Sequence, residues 1–222
     1  MNTSSSRPVR RAFTLADARR EFIRHPSPWL IGATLAGALT ARIIVGDWQL
    51  VDAVVLAVMV ALFPFLEWVV HVFLLHFRPR TIGRFTIDPL LAREHRAHHR
   101  DPRRIRLIFI PWRSLVTWVL PLIVGTALLA FPRLSLGLTF LVGIAALGLC
   151  YEWTHYLIHT DYKPKTRVYR AIWRNHRNHH YKNEHYWFTV TSAGTADRVF
   201  GTDPDPAAVP TSPTAKNLHA VG

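Results

Sequence analysis

The chain has 222 residues, of which 50% are hydrophobic and 18% are charged. This composition is too apolar for a disordered protein, and the length fits a single domain. The formal net charge of +13 does not indicate a nucleic-acid partner, because the basic residues are separated from long apolar runs. The single cysteine, Cys150, excludes a disulfide framework and a thiolate-rich metal site.

Four apolar segments predict an all-α multipass membrane protein with about four transmembrane helices. Residues 29–46 begin with 13 uncharged positions before Arg42, so this segment is either a short span or a re-entrant piece. Residues 51–75 are interrupted only by Asp52, Glu67 and His71. Residues 115–131 and 134–151 contain no charged residue, and each run is long enough to cross the hydrocarbon core of a bilayer.

The positions of the basic residues predict the orientation in the membrane. Of the 27 Lys and Arg, 25 fall within residues 1–28, 76–113 and 160–222, which lie on one side if four helices cross in alternation. The positive-inside rule then places both termini and the long 76–113 loop in the cytoplasm. Residues 1–28 have no apolar core and are expected to form a cytoplasmic tail rather than a cleavable signal. Residues 29–202 form the membrane domain, and residues 203–222, rich in Pro, Ala and Thr, predict a disordered tail.

Ten of the 13 histidines form a pattern that occurs twice along the chain. Each copy has a histidine pair at the end of an apolar segment, followed by an H-x-x-H-H cluster. About 20 residues separate the outer end of each apolar segment from its first histidine, which at about 1.5 Å per residue is roughly the bilayer thickness. Both copies therefore reach the same membrane surface. Their members are His71, His76, His95, His98 and His99, and His155, His159, His176, His179 and His180.

Residue spacing predicts how these side chains are directed. His155 and His159 are four residues apart, and each H-x-x-H-H cluster has spacings of three and four, so each set is expected to share one helix face. The three imidazoles of a cluster are then expected to point at one place. His71 and His76 are five apart, about 140° around a regular helix. We therefore expect the helix to bulge or end there, with Pro79 placed to stop it.

The histidine pattern predicts a site for two metal ions. Neutral imidazole is a common ligand of zinc, copper, iron and nickel, and ten ligands are too many for one ion but suit two ions with five each. Surface histidines and a transient metal-transport chain are the alternatives. Glu67 and Glu152 are expected either to orient ligand imidazoles or to pack helices, and His185 is a further candidate for orienting a ligand. His25 and His219 are expected to have no role in the site.

The order of these motifs resembles the fatty acid hydroxylase and sterol desaturase superfamily, over residues 67–201. The stretch Tyr151-Glu152-Trp153-Thr154-His155-Tyr156, followed by the last H-x-x-H-H cluster, is most similar to the fatty acid 2-hydroxylases. The resemblance implies a four-helix membrane enzyme with a cytosolic, histidine-rich dimetal cap. It further implies O2 as oxidant and electrons from a separate donor of the ferredoxin or cytochrome b5 type with its reductase.

The expected activity is monooxygenation of a lipid acyl chain, at carbon 2. Oxidation of an unactivated C–H bond requires redox-active metal, so iron is the expected ion, although zinc can occupy imidazole sites in purified protein. Arginines near the clusters are expected to act mainly as positive-inside charge, with binding of a lipid headgroup as the lesser role; they are Arg93, Arg96, Arg100, Arg174 and Arg177.

Two other functions remain open at this point. One is a sterol or carotenoid desaturase or hydroxylase with the same ligands, and the other is a non-enzymatic zinc-binding membrane protein or metal carrier. Metal carriers usually have polar residues in the middle of their membrane spans, whereas the middle of each apolar segment is apolar here. This pattern counts against metal transport. Short length and abundant Ala and Arg suggest a bacterial inner-membrane protein; in a eukaryote the endoplasmic reticulum is expected.

Overall fold

The computed structural model describes residues 12–219, which are mainly helical. In chain order the elements are α1 (Leu15–Phe22), α2 (Pro26–Val45), α3 (Leu50–Val69), a π-helical turn (Val70–Leu75), β1 (Arg80–Ile82), β2 (Phe85–Ile87), α4 (Leu90–Arg100), α5 (Ile105–Ile108), α6 (Trp112–Ser114), a second π-helical stretch (Leu115–Val119), α7 (Leu120–Leu129), α8 (Leu134–Ile158), α9 (Arg167–Tyr181) and α10 (Thr195–Val199).

Four segments are long and apolar enough to cross a membrane, as the sequence predicts. They are Pro26–Val45, Leu50–Leu75, Ile105–Leu129 and Leu134–Ile158. The first is a continuous helix of 20 residues, about 30 Å long, so it is long enough for a full span. The fourth continues seven residues beyond its predicted end at residue 151. This extension carries His155 out of the apolar part of the helix.

A short β-hairpin is the departure from an all-α chain within the described residues. Strand β1 pairs antiparallel with β2, with Ile82 opposite Phe85. The two-residue turn between them begins at Gly83, whose φ of +60° is a conformation that glycine adopts without a steric cost. The strands have three exposed residues each, too few to produce the alternation of buried and exposed positions by which a strand is predicted.

The bulge predicted near His71 and His76 is confirmed. Residues Val70–Leu75 form a π-helical turn, and the His76 N–H donates to the His71 carbonyl at 3.0 Å. A π-helical turn joins residues five apart, so it brings both imidazoles to one face of the chain. The helix ends at Leu75 with His76 as its C-cap, three residues before Pro79.

A buried ion pair ties three helices together at the end of the bundle opposite the histidines. The Arg42 guanidinium lies 3.1 Å from the Asp52 carboxylate and donates to Thr139 Oγ1 at 2.7 Å. Thr139 in turn donates to Asp52 at 2.6 Å. Arg42 and Asp52 are 1% and 4% exposed, so this network joins α2, α3 and α8 with little exposure to solvent. Nearby, Gly137 lets α8 approach α7, since a Cβ there would lie 1.8 Å from the Ala127 carbonyl oxygen.

The N-terminal region contributes to the core. Helix α1 has a capping box, in which Thr14 and Asp17 exchange hydrogen bonds. Its buried face packs Phe22 against Phe109 and Tyr156 near the histidine end of α8. Residues 1–11 of the predicted tail lie outside the described residues.

The prediction of a disordered tail over residues 203–222 disagrees with the structure as far as residue 219. Val209, Ala215 and Leu218 are buried, and the Ser212 N–H donates to the Lys182 carbonyl at 2.8 Å. Composition alone predicts disorder here because the segment has few apolar residues and no regular element. It is held instead by hydrogen bonds to residues that follow α9, the Ser212–Lys182 backbone bond and side-chain bonds of Asn183 and Glu184. Residues 220–222 lie outside the described residues.

Candidate metal centre

The structure brings all ten predicted histidines together in two groups of five. Within each group, the candidate ligand nitrogens all lie within 4.8 Å of one another. Nine of the ten residues are buried and His76 is half-buried. The first group, named group A, is His71, His76, His95, His99 and His179; the second, group B, is His98, His155, His159, His176 and His180.

In each H-x-x-H-H cluster the middle histidine lies in a different group from the other two. This is contrary to the expectation that the three imidazoles of a cluster point at one place. His95 and His99 of α4 lie in group A, whereas His98 lies in group B. On α9 the middle residue, His179, correspondingly lies in group A. The physical reason is helix geometry: residues four apart differ by about 40° around the axis, but adjacent residues differ by about 100°. Each cluster therefore contributes imidazoles to both groups.

The nitrogen positions fit metal coordination. Two ligand nitrogens at right angles about an ion, each about 2.1 Å from it, are about 3.0 Å apart. In each group the Nε2 atoms of neighbouring imidazoles have this separation. The distances are 3.1 Å for His71–His95 and 3.2 Å for His95–His99 in group A, and 3.2 Å for His98–His159, 3.1 Å for His159–His176 and 3.0 Å for His176–His180 in group B.

Several buried nitrogens have no hydrogen-bond partner in the described part of the chain. They include Nε2 of His76, Nε2 of His179 and both ring nitrogens of His155. A buried polar atom without a partner carries a substantial desolvation cost. A bound cation among these nitrogens would remove that cost, so the donor set fits metal.

The environment keeps the histidines outside the membrane spans neutral. Burial, followed by repulsion from neighbouring histidines, holds the pKa of His95, His98, His176 and His180 well below the usual value. Burial lowers the pKa of His99 to about 4. Neutral imidazole has a free lone pair, which is the form that binds metal.

Backbone carbonyls orient three imidazoles of group A. Nδ1 of His71 donates to the Phe188 carbonyl at 2.6 Å, and Nδ1 of His179 donates to the Tyr186 carbonyl at 2.8 Å. Nδ1 of His99 donates to the Ala215 carbonyl at 2.9 Å. A proton on Nδ1 leaves Nε2 as the ligand atom and fixes the ring plane.

The loop after α9 holds two of these carbonyls in place. Trp187, between Tyr186 and Phe188, is 1% exposed and has a φ of +58°, a conformation uncommon for a large side chain. The buried Asp197 carboxylate accepts the N–H of Phe188 at 2.8 Å and that of Thr189 at 3.0 Å. The sequence does not reveal these residues. Every residue has a backbone carbonyl, so no residue type marks the one that accepts from a histidine, and Asp197 is not part of the histidine pattern.

The two glutamates accept hydrogen bonds from neighbouring segments of the chain. Glu67 Oε2 accepts the N–H groups of Val190 and Thr191 at 3.3 and 3.2 Å. Glu152 Oε1 accepts from Ser27 Oγ and from the Ile110 N–H, both at 2.9 Å. Within residues 12–219, neither carboxylate has a hydrogen bond to a histidine. Each instead ties its helix to a neighbouring segment, which is the helix-packing alternative.

The three remaining histidines lie in different environments. The His185 side chain is 72% exposed beside Glu184 and has no hydrogen bond to a group A or group B histidine in the described residues. His25 stacks on Phe109 with ring centroids 4.2 Å apart. His219, expected to have no role, donates from Nε2 to the His76 carbonyl at 2.9 Å, so it braces the backbone of group A.

An apolar cavity of about 240 Å³ leads from the membrane-spanning helices toward the histidines. It is lined by α2, α3, α7, α8 and both π-helical segments, and it includes Trp118 and Tyr151. A narrower space of about 30 Å³, here called the neck, shares Leu75, Leu91 and Tyr151 with this cavity. The neck is also lined by His95 of group A and His155 of group B. An acyl chain in the cavity would thus meet both groups at one end.

Comparison with known proteins identifies the family of this architecture. The model of the family described as fatty acid hydroxylase matches residues 56–202. The dihydroceramide fatty acyl 2-hydroxylase FAH2 of Arabidopsis thaliana is 33% identical over 140 residues, 63% of this chain and 56% of that protein. The dihydroceramide fatty acyl 2-hydroxylase FAH1 of the same organism is 29% identical over 166 residues, 70% of this chain and 62% of that protein. The chain thus spans less than two thirds of the length of either relative.

A solved structure has the same fold. The structure of full-length scs7p, in which only the hydroxylase domain is visible, superposes with a TM-score of 0.62. The match covers 88% of this chain and 69% of that chain at 23% sequence identity. The helical membrane architecture is therefore shared, independently of close sequence similarity.

Proposed function

The chain belongs to the fatty acid hydroxylase family, and we propose that it is a membrane-bound dimetal monooxygenase that hydroxylates a lipid acyl chain at carbon 2. It uses O2 and electrons from a separate donor of the ferredoxin or cytochrome b5 type. The observation that carries this proposal is the neck, where an apolar cavity ends beside one histidine from each group of five.

The ten histidines would hold two ions, one in each group, and we assign iron to both. When bound, a pair of redox-active ions would pass electrons from the donor to O2 and would supply the oxidising power that a C–H bond requires. The protein supplies the neutral imidazoles, and in group A it fixes their direction through carbonyls such as that of Phe188. The burial of nine ligands excludes bulk water from the reacting region.

The position of the neck supports oxidation close to the lipid headgroup. His155 lies at the end of a membrane-spanning helix, within four residues of its last residue, Ile158. A chain that extends from the polar surface into the apolar cavity therefore passes the histidines near its carboxyl end. The names of the two Arabidopsis relatives, which are acyl 2-hydroxylases, support carbon 2 of an acyl chain over a sterol or carotenoid ring.

We also propose that the histidine end faces the cytoplasm, which gives soluble electron donors access. The support is the distribution of basic residues, 25 of 27 of which fall in the three segments assigned to that side. In a bacterial cell this membrane would be the inner membrane.

Expression in a host that lacks 2-hydroxy lipids tests the proposed reaction. Mass spectrometry of hydrolysed acyl chains should detect 2-hydroxy acids with the wild-type chain, supplied with iron, and none with His179→Ala. Oxygen on a sterol or carotenoid ring with unmodified acyl chains would overturn the substrate assignment. A product that also forms with His179→Ala would overturn the role of the metal centre.

A further inference from the structure

A polar cleft opens at the histidine end of the bundle, beside the neck. Its volume is about 380 Å³, and it lies between the start of α2, the start of α4 and the segment that joins α5 to α6. Its polar lining includes His25, Ser27, Arg93, Glu94, Arg106 and Arg113. Neither the metal centre nor the apolar cavity accounts for this cleft.

Three guanidinium groups give the cleft an excess of positive charge. Arg93, Arg106 and Arg113 are exposed, and none has an ion pair or side-chain hydrogen bond within residues 12–219. Glu94 is the acidic residue of the lining, so the cleft keeps a net positive charge. Two other arginines at this end are paired, Arg96 with Asp88 and Arg103 with Asp161. The cleft therefore offers cations that the protein itself does not neutralise.

The cleft, the neck and the apolar cavity adjoin one another in that order, because neighbouring spaces share lining residues. Cleft and neck share Glu94, Phe109, Ile110 and Pro111. Ile110 also lines the apolar cavity. A lipid with its headgroup in the cleft and its chain in the cavity would have the first carbons of that chain in the neck, beside His95 and His155.

We propose that the cleft binds the phosphate of a phosphate-bearing acyl lipid, which is the substrate class of this chain; this rests on the proposed function. Guanidinium groups pair with phosphate oxygens through two parallel hydrogen bonds, and three groups offer more donors than the two oxygens of a carboxylate use. A neutral ceramide headgroup would leave all three charges unmatched. The chain then differs in headgroup preference from relatives named for dihydroceramide.

Lipid binding to the metal-loaded full chain in maltoside micelles tests this proposal without turnover. The probes are phosphatidic acid, free fatty acid and dihydroceramide with the same acyl chain. In Arg93→Gln/Arg106→Gln/Arg113→Gln, affinity for phosphatidic acid should fall about tenfold, whereas affinity for dihydroceramide should stay within twofold. A matched control, Lys163→Gln/Arg167→Gln/Arg170→Gln, removes three exposed charges from residues that line none of these spaces and should change neither.

The remaining outcomes discriminate between explanations. Replacement of the three cleft arginines by lysine keeps the charge but not the paired hydrogen bonds, so it should recover only part of the affinity for phosphatidic acid; that partial recovery excludes misfolding as the cause of the loss. Equal weakening for phosphatidic acid and free fatty acid would overturn the phosphate assignment in favour of a carboxylate. Equal affinity of the wild-type chain for all three probes would overturn the headgroup site. Phosphate-selective binding with no 2-hydroxy product from any lipid would instead overturn the proposed reaction and leave the cleft assigned.

Discussion

His98 and His179 occupy the same position in the two H-x-x-H-H clusters, and each lies in the group of five that contains the histidine pair of the other half. Neither half of the chain therefore completes a site. Group A needs α9 and group B needs α4, so both sites depend on the docking of these two helices. This exchange couples metal binding to the assembly of the whole histidine end.

Removal of one exchanged histidine tests this dependence. His98→Ala deletes a group B ligand from a helix whose other two histidines serve group A. We expect iron content to fall from about two ions per chain to about one, with loss of activity. Elemental analysis of the purified protein measures this. The control is His185→Ala, which removes an exposed imidazole and should retain both ions; full occupancy in His98→Ala would contradict the assignment.

Asp197→Ala should weaken group A through the loop that it holds. The substitution leaves the buried N–H groups of Phe188 and Thr189 without their acceptor, at a cost of about 1–3 kcal/mol each. The Phe188 and Tyr186 carbonyls then lose their fixed direction toward His71 and His179. The midpoint temperature of thermal unfolding and the iron content should both decrease. Unchanged iron content in a folded, destabilised protein would show that the loop does not position the ligands.

Deletion of residues 203–222 should reduce metal binding although it removes none of the ten histidines. The deletion removes the Ala215 carbonyl, which accepts from His99, and His219, which braces His76. Group A should release iron to a chelator faster than it does in the full chain, while group B is affected less. Time-resolved chelation measures the two rates. Identical release from both forms of the protein would exclude a supporting role for this segment.

Disruption of the Arg42–Asp52 pair should destabilise the bundle far from the histidines. Asp52→Asn leaves the Arg42 charge buried without a counterion, which typically costs about 3–5 kcal/mol. Arg42→Met/Asp52→Leu removes both charges and should recover most of this loss. Unfolding by denaturant in micelles compares the variants. A double variant as unstable as the single one would indicate that the hydrogen bonds to Thr139, rather than charge neutralisation, maintain this region.

The orientation of the chain can be measured with reporter fusions. Because the basic residues are concentrated in three segments, we expect fusions at residue 90 and at the C-terminus to be cytoplasmic and a fusion at residue 48 to be on the far side. Export of the C-terminal reporter would contradict an even number of spans.

The sequence by itself determined the features that depend on distance along the chain. Four apolar runs, two of them free of charged residues, predicted the four spans, and nearly equal lengths from the outer ends of the spans to His71 and His155 placed both histidine pairs at one surface. The five-residue separation of His71 and His76 predicted the bulge that the π-helical turn provides. These predictions hold because helix rise and turn angle are fixed by backbone geometry.

Only the tertiary structure decided which groups meet. Helix spacing gives the direction of His98 relative to its own axis, but the packing of α4 against its neighbours decides that it joins His155 and His176. Backbone carbonyls such as that of Ala215 are identical at every residue, so no sequence pattern marks the one that accepts from His99. The sequence allowed two roles for Glu67, because its neighbours along the chain are apolar. In the folded protein its N–H partners come from the loop that follows α9. Contacts between distant segments arise from packing, which a local pattern does not encode.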